Sequence, residues 1–147
     1  QELMSIRQEK LRELVKKKNI QNVQFIGHSD PEPFYEEASL YMHSAKREGW
    51  GLTITEAMQK GVVPIVMNSS PVFEELIKDG ESGILSKDGN VKSLALHLIE
   101  LMNDRNKRER IAVRAIETTQ EHDIERIVNK WAVVIMHSNT DPNPTNV

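Results

Sequence analysis

The residues best suited to chemistry lie where a glycine-framed turn leads into a predicted helix. Gly49 and Gly51 precede an apolar period that predicts a helix over residues 52–60. Because glycine has no Cβ, a ligand can approach the backbone closely there. The free amides of Gly51, Leu52 and Thr53 would point outward at the positive end of the helix dipole, where anions bind. The turn therefore suits a diphosphate.

Two carboxylates bracket this turn. Glu48 lies just before it, and Glu56 follows one turn inside the helix, on the same side as Leu52 and Thr53. A carboxylate repels phosphate but accepts hydrogen bonds from two neighbouring hydroxyls, such as those of a sugar ring or a ribose. An anion site with such a carboxylate on each side would fit a nucleoside diphosphate sugar. Spacing alone also leaves open a simpler interpretation, in which Glu56 is a helix-surface residue and Glu48 a solvated loop charge.

The elements that must position these residues alternate between helix and strand. Helices are predicted at 3–18, 34–38, 52–60, 72–77 (with Ser70 as cap), from Asn90 onward, 106–119 and 123–137, and strands at 23–26, 39–43, 62–67 and 84–85. This order is typical of an α/β fold with a Rossmann-like parallel sheet and flanking helices. Ligands of such sheets bind beyond the carboxyl ends of the strands. The loops after Ile26, His43 and Met67 should therefore lie along one rim.

Composition narrows the class of protein. The 147 residues suit one domain over 1–137, followed by a polar tail over 138–147 that we expect to be disordered. The chain has no cysteine, and its five histidines show no metal-ligand spacing, so we expect no metal site. A net charge of −3 gives no electrostatic basis for binding nucleic acid. No apolar run approaches the roughly 20 residues of a membrane span.

Five segments together resemble the signature of the GT-B fold glycosyltransferases of family GT4, the glycosyl transferases group 1. Residues 48–52 match its E-G-aromatic-G-L and residues 56–58 its E-A-M, and residues 61–66 resemble its G-x-P-V-V. Residues 79–85 resemble its D-G-x-x-G-L-L and residues 23–27 its V-x-F-x-G strand. The order and spacing of all five make the resemblance specific, and it extends over almost the whole chain.

The resemblance implies a C-terminal donor-binding domain that lacks its first β-α-β elements. By this resemblance, Glu48 would contact hydroxyls of the donor sugar and Glu56 would hold the ribose. The backbone of residues 51–53 would hold the diphosphate, and the loop containing His28 would lie near the nucleobase. The residues implied to bind the donor are Glu48, Gly49, Trp50, Gly51, Leu52, Thr53, Glu56 and His28.

The implied reaction is transfer of a hexose, with retention of anomeric configuration, from a nucleoside diphosphate sugar to a glycan or lipid-linked acceptor. It would need no metal and no cofactor. The acceptor would bind through an N-terminal domain missing here, so we expect this chain alone to be inactive. A cytoplasmic location, at the inner face of the membrane and with peripheral membrane contact of the full-length protein, is a further expectation.

The sequence also departs from the family pattern. Pro71 and Val72 stand where the family often has two glycines, and the Arg and Lys that neutralise the diphosphate belong to the absent elements. Lys46 and Arg47 lie near the turn but are interpreted as surface residues. Two alternatives stay open: a non-catalytic GT-B-like binding or assembly module, and a GT-B nucleotide-sugar epimerase.

Overall fold

The computed structural model describes residues 2–120 and 124–138. The chain divides into two compact units, residues 1–31 and residues 32–147. The predicted tail over 138–147 lies outside the described residues from position 139 onward, and Ser138 itself still belongs to the last helix.

The first unit contains helix α1 (Glu2–Lys17), which confirms the helix predicted at 3–18. The guanidinium of Arg12 lies over the ring of Phe25, 4.6 Å from its centroid. The strand predicted at 23–26 is wrong, because residues 21–27 form no strand. A strand needs a neighbour to pair its backbone amides and carbonyls, and the described residues of this unit supply none. This β-rich segment therefore forms no strand hydrogen bonds with another described segment of the unit.

The second unit is a parallel sheet with helices around it. Its elements are α2 (Glu32–Glu37), β1 (Leu40–His43), α3 (Leu52–Gln59), β2 (Val63–Asn68), α4 (Val72–Leu76), β3 (Ile84–Lys87), α5 (Val91–Asn103), α6 (Arg105–Gln120) and α7 (Ile124–Ser138). The strand order is β1-β2-β3, and both pairs are parallel, with Met42 opposite Ile65 and Val66 opposite Leu85. The predicted α/β class is confirmed, and the predicted boundaries of these elements are mostly within two residues of the observed ones.

Strand β2 is the centre of the core. Five of its six residues are buried, as expected for a strand covered on both faces. On one face Val63, Ile65 and Met67 belong to a cluster with Leu94, Leu101 and Ile111 of α5 and α6. On the other face Val66 belongs to a cluster with Ile54, Met58, Phe73 and Leu76 of α3 and α4. The two layers hold the carboxyl ends of β1 and β2 in fixed positions.

Helix termini follow the sequence closely, with one exception. Helix α3 ends in a Schellman motif, in which Gly61 N donates to Met58 O (3.0 Å) and Val62 N donates to Ala57 O (2.9 Å). The predicted cap of α5 is confirmed, because the Asn90 side chain accepts from Ser93 N. The predicted side-chain cap of α4 by Ser70 is wrong.

At the start of α4 the first flanking residue is Pro71, and it makes no side-chain cap. Its φ of −56° and ψ of −28° are already helical. Ser70 contributes its backbone carbonyl instead, which accepts from Phe73 N at 3.1 Å. The proline therefore extends the helical backbone one residue ahead of α4 and leaves the serine hydroxyl unused as a cap.

The turn at residues 79–83 is structural. Asp79 Oδ1 accepts from Leu85 N at 2.8 Å, and Gly80 N donates to Gly83 O at 2.8 Å. A Cβ on Gly83 would lie 2.7 Å from Cγ of Pro64 and 3.0 Å from its carbonyl oxygen. The glycine leaves room for the proline ring in β2, so this motif serves packing.

Candidate functional site

The loops that follow β1 and β2 lie on the same rim of the sheet. Ser69 Oγ, just after β2, donates to the carbonyl of Ala45, just after β1, at 2.6 Å. This contact confirms the predicted proximity of the loops after His43 and Met67. The loop after Ile26 belongs to the other unit, and its place on this rim stays a prediction.

Helix α3 begins at the predicted glycine turn. Gly51 adopts the left-handed conformation, with φ 82° and ψ 39°, and no side chain caps the helix. The first amides to bond within the turn are those of Ile54 and Thr55, which donate to Gly51 O at 2.9 Å and 3.2 Å. By the geometry of an α-helix, the preceding amides of Leu52 and Thr53 have no acceptor inside it. They are therefore the donors that an anion could use.

The glutamate that precedes the turn is held by two contacts. Oε1 of Glu48 accepts from the amide of Gly49 at 3.0 Å. Oε2 of Glu48 lies 3.6 Å from Nε2 of His43. The side chain of Glu48 is 27% exposed. A hydrogen bond to one carboxylate oxygen and the close approach of His43 to the other restrict its orientation.

His43, the last residue of β1, is buried beneath this carboxylate. Its ring packs edge-on against Phe73, with centroids 5.5 Å apart. Burial lowers the pKa of His43 below its ordinary value, and the nearby charge of Glu48 partly opposes that shift. The Nε2 atom is buried and has no hydrogen-bond partner among the described residues. The ring is therefore neutral around pH 7, with one nitrogen facing the carboxylate.

Two tyrosines continue the polar contacts from His43 to Glu56. The hydroxyl of Tyr41 lies 3.2 Å from His43 Nδ1 and 2.9 Å from Thr53 Oγ1. The hydroxyl of Tyr35 donates to Thr53 O at 3.2 Å and to Glu56 Oε2 at 3.4 Å. Burial, together with Tyr41 and Glu56 nearby, raises the pKa of Tyr35 to about 12. Tyr35 therefore stays protonated and able to donate.

These contacts form one continuous path, which we call the Glu48–Glu56 network. Its members, in order, are Glu48, His43, Tyr41, Thr53, Tyr35 and Glu56. The network links both predicted carboxylates through the first turn of α3. It gives the two carboxylates and the exposed amides between them a common frame.

Sequence reasoning identified only part of this network. It selected Glu48, Thr53 and Glu56 but missed both tyrosines and considered His43 only as a metal ligand. Residues two apart on a strand share a face, so the alternation of Tyr41 and His43 was a usable signal. No comparable signal in the sequence connects Tyr35 with α3.

The other predicted site residues are not part of the network. Trp50 is 47% exposed, and Leu52 is 63% exposed at the start of α3. His28 is exposed and belongs to the first unit, so its proximity to the nucleobase stays a prediction.

Within the described part of the chain, no group of three or more His, Asp or Glu residues could hold a metal ion. Among the helices of those residues, none combines the length and apolar character that crossing a bilayer requires.

A parallel sheet that carries an uncapped helix N-terminus beyond its strand ends is the architecture of the Rossmann-like proteins. A model of one family within that class, glycosyl transferases group 1, matches residues 6–118. The chain belongs to this family.

Characterised and uncharacterised relatives agree with this assignment. An uncharacterized glycosyltransferase of Haemophilus influenzae is 27% identical over 130 residues, which covers 87% of this chain and 37% of the relative. The capsular polysaccharide biosynthesis glycosyltransferase CapM of Staphylococcus aureus is 33% identical over 91 residues, covering 61% of this chain and 24% of the relative. The chain thus spans less than two-fifths of the length of these relatives.

Solved structures agree on the fold. The C-terminal domain of the glycosyl transferase group 1 family protein LpcC from Francisella tularensis superposes with a TM-score of 0.69 at 25% identity, covering 80% of this chain and 63% of that one. Anabaena HepE in complex with UDP gives a TM-score of 0.80 at 24% identity, covering 88% of this chain and 36% of that one. The GT-B resemblance found in the sequence is therefore confirmed at the level of fold.

Proposed function

We propose that this chain provides the donor-binding part of a retaining glycosyltransferase, which moves a hexose from a nucleoside diphosphate sugar to a glycan or lipid-linked acceptor. The observation that carries the proposal is the Glu48–Glu56 network. The proposal is supported by a carboxylate on each side of the amides of Leu52 and Thr53, because a carboxylate can accept hydrogen bonds from sugar hydroxyls, and by membership of a family of sugar transferases.

The relatives support the substrate class without fixing the donor. The poly(glycerol-phosphate) alpha-glucosyltransferase of Bacillus subtilis is 23% identical over 129 residues, and a GDP-Man-dependent mannosyltransferase of Dictyostelium discoideum is 28% identical over 129 residues. HepE was solved with UDP-glucose. Because the names and bound ligand of these proteins include two sugars and two bases, the test below compares several nucleotide sugars.

In the proposed mechanism the chain works by positioning and by stabilising charge. Glu48 would accept hydrogen bonds from hydroxyls of the donor sugar, and Glu56 would accept them from the ribose. The amides of Leu52 and Thr53 would face the diphosphate, whose negative charge grows as the bond to the sugar breaks. Fixing the donor between these groups lowers the entropic part of the barrier. Glu48, Glu56 and the amide end of α3 would therefore each act on a different part of the donor.

Isothermal titration of the protein in its natural full length against UDP-, GDP- and ADP-sugars tests this proposal. One donor should bind and support sugar transfer to an acceptor. Glu48→Gln should lower transfer about ten- to hundred-fold, since a hydrogen bond to a charged group contributes roughly 1.5–3 kcal/mol. Glu109→Gln is the matched control, because Glu109 is an exposed glutamate of α6 that pairs with Arg105.

The outcomes separate the alternatives. If neither wild type nor Glu48→Gln gives heat with any nucleotide sugar, the donor-binding proposal is wrong. Binding without transfer would support a non-catalytic module instead. Conversion of the free donor sugar to an epimer would support an epimerase.

A further inference from the structure

The feature that the proposed function leaves unexplained is the buried imidazole of His43. A polar atom buried without a partner costs free energy, so such an atom beside a binding site needs a reason. Nε2 of His43 has no hydrogen-bond partner among the described residues. It faces a carboxylate oxygen, Oε2 of Glu48, at 3.6 Å. Glu48 is the residue proposed to touch the donor sugar.

The contacts of the two ring nitrogens determine which of them carries the proton. A neutral imidazole has one N–H and one bare nitrogen. If Nδ1 carried the proton, the bare Nε2 would face a carboxylate, and two acceptors would oppose each other. If Nε2 carries it, the hydroxyl of Tyr41 can donate to Nδ1 at 3.2 Å. The hydroxyls of Tyr41 and Thr53 lie 2.9 Å apart, and each can donate or accept. Thr53 donates across this contact when Tyr41 donates to Nδ1, and Tyr41 donates to Thr53 when Nδ1 carries the proton, so the carboxylate facing Nε2 is what distinguishes the two tautomers.

In this second arrangement a donor faces an acceptor at each of the three contacts. The direction of donation runs from Thr53 to Tyr41, from Tyr41 to His43, and from His43 toward Glu48. The first turn of α3 thereby becomes linked to the orientation of the carboxylate. A separation of 3.6 Å is longer than a hydrogen bond, and a shift of about 0.5 Å would bring the two atoms into range.

We propose that His43 is a positioning residue, whose Nε2–H group orients the carboxylate of Glu48 toward the hydroxyls of the donor sugar. This inference rests on the proposed function, because it assigns His43 a role through Glu48. His43 itself need not touch the substrate. Its removal should therefore affect sugar transfer while leaving the binding of the nucleoside diphosphate intact.

The first test compares variants of the protein in its natural full length. His43→Leu removes the N–H group and keeps an apolar side chain, whereas His43→Gln keeps an amide N–H. His97→Leu is the matched control, because His97 lies on α5, is partly exposed and is also close to a glutamate, with Nδ1 3.8 Å from Glu100. The probes are the nucleoside diphosphate sugar that wild type turns over and its free nucleoside diphosphate.

His43→Leu should lower kcat/KM for transfer about ten-fold, the effect of losing one hydrogen bond to a charged group. The Kd of the free nucleoside diphosphate should stay within about two-fold, and His43→Gln should recover most of the activity. His97→Leu should match wild type. Transfer by His43→Leu at the wild-type rate would overturn the proposal, as would equal losses in transfer and in nucleoside diphosphate binding.

A double-mutant cycle tests whether His43 acts through Glu48. In a Glu48→Gln background, His43→Leu should cause no further loss of transfer, because the carboxylate that it orients is gone. If the fold-losses of transfer caused by the two substitutions multiply in the double variant, His43 acts independently of Glu48 and the proposal is wrong.

A spectroscopic measurement on wild type avoids any dependence on the folding of variants. Side-chain ¹⁵N spectra of labelled protein should show His43 as the Nε2–H tautomer, and the Nδ1–H tautomer would refute the proposal. The tautomer can be measured whether or not the protein binds a nucleotide sugar, so its outcome is distinguishable from a failure of the proposed function, which would appear as no binding of any nucleotide sugar by wild type.

Discussion

Gly51 controls the geometry of the candidate site, and its replacement by alanine should be costly for two separable reasons. Its φ of 82° lies in the left-handed region, where an alanine costs about 1–2 kcal/mol. A Cβ there would also lie 3.0 Å from Cδ1 of Leu76 and 3.3 Å from Cδ1 of Ile54, which are both fully buried. Overpacking of a core costs about 1–3 kcal/mol, and the Leu76 methyl can yield a few tenths of an ångström. We therefore expect Gly51→Ala to destabilise the fold by about 2–4 kcal/mol.

Alanine substitutions at two other glycines distinguish the cost of the left-handed backbone from the cost of overpacking. Gly89 has a φ of 72°, and no atom lies within 4 Å of the position that an added Cβ would take, so Gly89→Ala should show the conformational cost alone, about 1–2 kcal/mol. Gly49 has neither a positive φ nor a close neighbour, and Gly49→Ala should change stability by less than about 0.5 kcal/mol. Equilibrium urea unfolding of the purified variants, followed by circular dichroism, gives the three differences.

If Gly51→Ala costs no more than Gly89→Ala, the added Cβ does not overpack against Leu76 and Ile54. If Gly51→Ala is as stable as wild type, the turn also does not require a left-handed glycine. A destabilised but folded Gly51→Ala should in addition bind nucleoside diphosphates more weakly than Gly89→Ala, because the backbone that presents the amides of Leu52 and Thr53 has to shift.

Three further predictions concern other parts of the fold. Gly83→Ala should destabilise by at least about 1–3 kcal/mol in the same urea assay, because the new Cβ would lie 2.7 Å from the rigid ring of Pro64. Asn90→Ala should cost about 1 kcal/mol, because it removes the side-chain cap of α5. The melting temperature should fall as the pH drops below about 6.5, since burial keeps the folded-state pKa of His43 below its unfolded value and the unfolded chain binds the extra proton. His43→Gln should reduce that dependence.

Each of these three has a result that would contradict it. If Gly83→Ala unfolds at the same urea concentration as wild type, β2 can shift around Pro64 to accommodate the added Cβ. An unchanged Asn90→Ala would mean that water replaces the cap without loss. For His43, the direction of the change in stability with pH decides. If wild type became more stable between about pH 7 and about pH 5.5, and His43→Gln did not, the folded-state pKa of His43 would have to be raised rather than lowered.

Local features of the fold were predictable because their causes are local. The apolar run at 62–67 identified the buried central strand, Gly51 identified the start of α3, and Asn90 identified the cap of α5. The failed strand at 23–26 shows the opposite case. Its run of residues with high β-propensity is typical of a strand, but a strand also requires a partner, which composition cannot reveal.

In the candidate site, too, features that are local in the sequence were predictable, whereas contacts between separate elements were not. The carboxylates and the glycine turn belong to one continuous segment, so spacing was sufficient to select them. The contact between Tyr35 and Thr53 joins residues 18 positions apart and depends on how α2 packs against α3. The state of His43 depends on burial beneath Glu48, which the sequence does not express. Contacts between elements are therefore where sequence reasoning stops and the three-dimensional structure becomes necessary.

The charges of the proposed site explain why the carboxylates must be held in place. The amide end of α3 supplies roughly half an elementary charge, which is less than a diphosphate carries, and Glu48 and Glu56 add negative charge to the same turn. Inorganic diphosphate would be repelled by the carboxylates of Glu48 and Glu56, and it has no sugar hydroxyls that could form hydrogen bonds with them. A nucleoside diphosphate sugar brings hydroxyls, and each hydrogen bond to a carboxylate contributes roughly 1.5–3 kcal/mol. The site can prefer a nucleoside diphosphate sugar over inorganic diphosphate only if the carboxylates are oriented before the ligand binds. Reorienting them on binding would cost free energy and offset the gain from their hydrogen bonds. The Glu48–Glu56 network supplies that orientation through the polar contacts of His43, Tyr41, Thr53 and Tyr35, of which His43 and Tyr35 are buried.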